Sequence, residues 1–174
     1  SEIDDFNNFK TSSIVYIDPD DGDYIVKVIS FGDILVFFKT SSTYVMTGDP
    51  AAGTGSVSIR KVDNRGIVAK LSAVVCNSNV LIYLSSSGFL AIDRSGSTQP
   101  IPVSNDIQDV IDNMNAVNLS SVVAAYDQDD KCYMASCPQI LKSAYGGVSH
   151  STDNVNDGCL VYNMVDGTWG MWPG

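Results

Sequence analysis

Apolar and polar positions alternate along this chain in short blocks, and one block occurs twice: GDILVFFKTSSTYVMTGD from Gly32 and NSNVLIYLSSSGFLAIDRSG from Asn77. Each copy reads as a turn, an apolar run, a Ser-rich turn and a second apolar run. The copies lie about 46 residues apart, a spacing that marks repeated sheet units too small to bury their own apolar faces. A looser third copy, SSVVAAYDQDDKCYMASC, begins at Ser120, and CLVYNMVDGTWGMW adds a hairpin from Cys159.

The runs Ile34 to Phe38 and Val80 to Leu84 are apolar at every position rather than at alternate ones. Such strands are expected to be covered on both sides, as inner strands of propeller blades are by neighbouring blades. Ile14 to Ile17 and Tyr24 to Ile29 flank DPDDGD, whose Pro19 and Asp21-Gly22 supply hairpin turn chemistry, so a further strand pair is expected there. One segment has helical spacing: SNDIQDVIDNMN places Ile107, Val110, Ile111 and Met114 on one face, with Ser104 as N-cap. AAGTGS from Ala51 and SAYGGVSHSTDNVNDG from Ser143 have loop composition. The pattern predicts an all-β fold, a partial β-propeller of about three blades with one short helix. Residues 1–174 form a single unit with blades at roughly 24–63, 66–103 and 119–172. Closed propellers have about four to eight blades. The opening at Ser1 and the close on WGMWPG, directly after a strand-like run, add the expectation that the chain is part of a longer polypeptide.

The 174 residues are 44% hydrophobic and 17% charged, enough for a well-buried globular unit. Twenty acidic against ten basic side chains give a net charge of −10 without a basic cluster, which disfavours tight binding to phosphate backbones. No apolar run reaches the length of a membrane span and no basic-then-apolar leader opens the chain, so it reads as soluble. Cys76, Cys132, Cys137 and Cys159 occupy positions suited to small core residues; the spacing of Cys132 and Cys137 is not that of paired zinc ligands, and reduced thiols are expected.

Candidate chemistry is sparse. His150 is the single histidine and stands in a Gly/Ser loop, with no G-x-S-x-G elbow elsewhere to make a triad. Asp18, Asp20, Asp21, Asp23, Asp127, Asp129, Asp130 and Asp166 fall in turns, where their side chains cap local amides. Asp18, Asp20 and Asp23, or Asp153 to Gly158, could offer calcium ligands, but both depart from the EF-hand spacing. Asn118-Leu119-Ser120 matches a glycosylation acceptor without a secretory signal, and GTGS at Gly53 lacks the lysine of a phosphate loop. Gly146-Gly147, Tyr162 and Trp169 resemble one kelch repeat, the plainer reading being a type I′ hairpin with aromatic packing. No residue is assigned a catalytic, cofactor-binding or metal-binding role, and no enzyme activity or cofactor is expected.

The succession GDILVFFKTSSTYVMTG, GIVAKLSAVVCNSNVLIYLSSSGFLAI and IPVSNDIQDVI resembles the propellers of bacteriophage virions. The likeness is to the tail nozzle or tail tubular B proteins and the head-to-tail stabilisation proteins of short-tailed phages, and runs from Tyr24 to Trp172. It implies a structural ring component of the virion tail, assembled in the bacterial cytoplasm from copies of itself. Portal or adaptor proteins would be its partners, with tail fibres as further candidates, and DNA would pass without specific binding. The alternative is a kelch-like propeller that binds a protein or glycan.

Overall fold

The computed structural model describes residues 14–49, 54–94, 99–114, 116–138 and 156–173. Within them the chain folds as three antiparallel sheets of four strands, each sheet laid down in chain order. The first contains β1 (Ile25–Phe31), β2 (Ile34–Lys39), β3 (Thr43–Gly48) and β4 (Val57–Asp63). The second contains β5 (Val74–Cys76), β6 (Val80–Ser85), β7 (Gly88–Asp93) and β8 (Ile101–Pro102). The third contains β9 (Val123–Asp127), β10 (Cys132–Pro138), β11 (Asn156–Asn163) and β12 (Thr168–Pro173). This is a partial propeller of three meander blades.

The repeated phrase accounts for the inner pairs. β2 pairs with β3 and β6 with β7, each through a short polar turn that leaves the flanking apolar residues in cross-strand register. Because side chains alternate across a strand, β6 presents opposite faces to two neighbours. Leu81 and Tyr83, with Leu90 and Ile92 of β7, join Phe31, Ile34, Val36, Phe38 and Val45 of the first sheet in one core. Ile82, Leu84 and Phe89 join Tyr133, Ala135, Cys137 and Leu160 of the third sheet in another. The middle blade is therefore sandwiched, and its largest side chains are fully buried.

Four expectations are corrected. Ile14 to Ile17 form no strand: Ile14, Val15 and Tyr16 are exposed, and DPDDGD does not turn back as a hairpin. Asp18, Asp21 and Asp23 are held instead by donors on β2, β3 and the turn between them. Two-sided cover holds for β6 but not for β2, where Ile34, Val36 and Phe38 are buried while Leu35 and Phe37 are only half-buried. Among the described residues no sheet lies outside the first blade to cover them.

The helical segment is shorter than its spacing suggests, a 3-10 turn at Asn105–Ile107 followed by α1 (Gln108–Asp112). Ser104 does not cap it through its side chain; its hydroxyl accepts the Phe89 N–H of β7 at 3.0 Å. Gly88 makes room for this contact, since a Cβ there would lie 2.5 Å from Ser104 Oγ. Finally, β11 and β12 are joined by four residues rather than a two-residue type I′ turn: of these, Gly167 alone has positive φ (69°), and Asn163 Oδ1 accepts the N–H groups of Val165 and Asp166.

Candidate functional site

The turn acids and the lysine of the first blade form a closed clamp. Lys39, buried at the end of β2, donates from Nζ to both carboxylate oxygens of Asp21, at 2.7 and 2.8 Å, and to the Asp18 carbonyl at 2.9 Å. Tyr44 of β3 donates its hydroxyl to Asp18 Oδ2 at 2.8 Å. Asp23 accepts from the backbone N–H and hydroxyl groups of Thr40 and Ser41 and from the Ser42 hydroxyl. Partial burial would raise the Asp23 carboxyl, but this set of donors wins and holds it well below the ordinary carboxylate range. The Lys39 hydrogen bond likewise lowers Asp21, while burial and the bond to Asp18 push Tyr44 up to about 12. Asp18, Asp21 and Asp23 thus face donors of their own chain, and among the described residues no three His, Cys, Asp or Glu groups are placed to hold a metal ion.

The remaining turn acids are used locally. Asp127 Oδ1 accepts the N–H groups of Asp129 and Asp130, and Asp166 Oδ2 accepts from Asn163. Asp63, buried at the end of β4, is held by Arg65, whose Nε lies 2.9 Å from Oδ1. A pocket of about 270 Å³ beside it is lined by Lys61, Val62, Asp63, Asn64 and Gln99. Asn118 sits in a 3-10 turn (Ala116–Ser121), where its carbonyl accepts from the Ser121 hydroxyl. His150, Gly146-Gly147 and Asp153 lie outside the described residues, as does Gly53 of GTGS. The four cysteines are free thiols, and burial raises Cys76 to about 12 and lifts Cys137 and Cys159 as well. Such thiols are poor nucleophiles at neutral pH.

What the fold builds with most care is blade-to-blade contact. Tyr133 donates its hydroxyl to the Ser72 carbonyl at 2.8 Å across the second and third blades, and Trp169 Nε1 donates to the Val103 carbonyl at 2.6 Å. Trp169 packs on Tyr162, its cross-strand partner, with ring centroids 4.9 Å apart, and on Phe89 at 5.1 Å. Aromatic pairs of this kind are worth about 0.5–1.5 kcal/mol each beyond their buried area. Between the first two blades, Phe38 packs on Tyr83 with centroids at 4.6 Å, and Lys27 Nζ donates to the carbonyls of Lys70 and Ala73.

Among the described residues, the same register leaves two faces without a neighbouring blade. On the first sheet, Val28, Phe37 and Tyr44 form one row and Leu35, Met46 and Ile59 the next; Val28 is 47% exposed, whereas Met46 is buried and Tyr44 is buried with its hydroxyl on Asp18. On the third sheet, Val123, Ser136, Cys159 and Trp172 form one row and Met134 and Val161 stand in the next, with Val123 44% and Trp172 60% exposed. That a three-blade segment leaves blade faces unpaired is expected from the sequence, but the residues that line them are not, because they belong to strands whose apolar runs look like core. No helix among the described residues is long and apolar enough to cross a membrane. No protein-family model matches the chain, and no curated protein is significantly similar to it.

Proposed function

We propose that this chain is a structural virion protein, a propeller segment of a phage tail or head-to-tail connector that forms part of a ring around the DNA path. The observation that carries this reading is the contrast between the middle blade, apolar and buried on both faces, and the outer faces of the first and third blades, apolar but only partly covered. A unit of this kind gains stability by being stacked upon, and its role is to occupy a place in an assembly. Copies of itself and a portal or adaptor ring are its neighbours, with tail fibres as further candidates. A net charge of −10 suits a wall along which DNA passes without adhering.

The test is recovery of infectious particles from variants that keep the fold. Val28→Glu changes an exposed position on the outer face of the first blade and should reduce recovery, whereas His150→Ala should leave it unchanged. Normal recovery with the first, or loss with the second in a folded chain, overturns the structural reading and reopens an enzymatic one. The kelch-like alternative draws on the stacked Tyr162–Trp169 pair; it predicts retention of a soluble protein or glycan ligand by the chain alone.

A further inference from the structure

Residues 14–24 lead into β1 and are fastened to the first blade through side chains. Among the described residues no hydrogen bond between backbone groups ties them to a blade, and none of them is buried. The lead into the second blade is fastened differently. By the spacing of the repeated phrase, residues 66–69 are the counterpart of residues 20–23. There the Ile67 N–H donates to the Lys39 carbonyl at 3.1 Å and the Val68 N–H to the Leu84 carbonyl at 3.0 Å, and Ile67 shares a core with Phe38 and Tyr83. That lead is built into the core, whereas residues 18–23 form a strap laid over the blade.

Two anchors hold the strap. At the β2–β3 turn, the Asp23 carboxylate takes the N–H and hydroxyl groups of Thr40 and Ser41. On the outer face of the sheet, Lys39 alternates with the inward-facing Phe38 and is 2% exposed, and every hydrogen bond of its Nζ goes to the Asp21 carboxylate or the Asp18 carbonyl. Its ammonium lies 5.4 Å from the ring centre of Tyr44, whose hydroxyl is held by Asp18. Asp21 Oδ1 also accepts the Asp23 N–H at 2.9 Å, so the anchors are joined. Asp18 itself has a φ of 44°, a left-handed conformation that release would let it leave. Lifting the strap breaks no sheet hydrogen bond and touches neither blade-to-blade core. We propose that residues 18–23 are a latch, closed over the turn end of the first blade's outer face and opening as a unit while the blades stay folded. Closed, that end presents carboxylates; open, it presents the Lys39 ammonium and the Tyr44 phenol. Segments held this way open locally at far lower cost than the strands beneath them.

The test breaks one anchor and reads the other, in the full chain. Asp23→Ala removes the anchor at the turn, and the reading is acetylation of Lys39 by an activated acetate ester, with the exposed Lys70 and Lys131 as references. Asp21→Ala removes the anchor on Lys39, and the reading is hydrogen exchange at the Thr40 and Ser41 amides. In the wild-type chain Lys39 should react far more slowly than the references. Each variant should speed its distant reading by more than about tenfold, while the buried Cys76 and Cys137 stay protected from alkylation. Asp23→Asn, which keeps the volume of the side chain, replaces Asp23→Ala if those thiols become reactive. Wild-type Lys39 that reacts as fast as Lys70 overturns the closed latch. A distant anchor that stays protected in either variant means two independent contacts, and thiols that become reactive together with Lys39 in Asp23→Asn as well mean that the strap opens only with the blades; both results overturn the inference.

Discussion

Two tyrosines of equal burial should respond oppositely to loss of their hydroxyls. Tyr83 and Tyr133 are both fully buried, one in each of the two blade-to-blade cores. The Tyr133 hydroxyl donates to the Ser72 carbonyl, whereas the Tyr83 hydroxyl makes no hydrogen bond. Thr43 lies beside Tyr83, and its Oγ1 donates to the Arg65 carbonyl at 2.8 Å. Tyr133→Phe removes a bond and strands a carbonyl in the core, a loss of about 1–3 kcal/mol. Tyr83→Phe removes a buried polar group that has no partner, so it should be neutral or stabilise by up to about 1–2 kcal/mol. With a urea dependence of about 1–3 kcal/mol per molar, the two unfolding midpoints should differ by roughly 1 M. Equal losses in the two variants would mean that Tyr83 has a partner and that the first core is organised differently from this description.

Other perturbations separate the remaining claims. The Asp23 carboxyl is depressed in the folded chain, so its contribution to stability is fully present above the unfolded value of about 3.9 and is lost as pH falls from there toward the lower folded value; the urea midpoint should begin to drop near about pH 5 and keep falling to about pH 2, and Asp23→Ala should lower it at pH 7 while flattening the drop. Gly66→Ala should be severely destabilising, since a Cβ there would lie 2.1 Å from the Lys39 carbonyl oxygen and 2.4 Å from the Thr40 carbonyl carbon, both backbone atoms; thermal unfolding at the wild-type midpoint would contradict this. Alkylation at neutral pH should spare the buried Cys76 and Cys137, and denaturation without reductant should make all four cysteines reactive; a pair protected under denaturing conditions would reveal a disulfide.

The repeated phrase carried most of the fold, because β2–β3 and β6–β7 are local pairs whose turns and apolar runs are adjacent in sequence. What it did not carry depends on distant partners. Asp23 looks like any turn acid until Thr40, Ser41 and Ser42, 17 to 19 residues away, converge on it. Ser104 has the composition of a helix cap, yet the Phe89 N–H, 15 residues earlier, takes its hydroxyl. Leu35 and Phe37 read as core, for apolar content records what a face can bury, not whether a neighbour is present to bury it. An incomplete propeller implies open outer faces, but which residues line them could for that reason not be read from the pattern alone.

The central claim, that this chain works by being stacked into an assembly, is tested most directly by amide hydrogen exchange on the chain alone and in assembled tail particles. The slowest amides in both should lie in β6 and β7, the sandwiched strands. Strands of the first and third blades, above all β1 and β12 at sheet edges, should gain protection only in the particle. Identical exchange in the two states, or particles that form without the chain, would contradict the account.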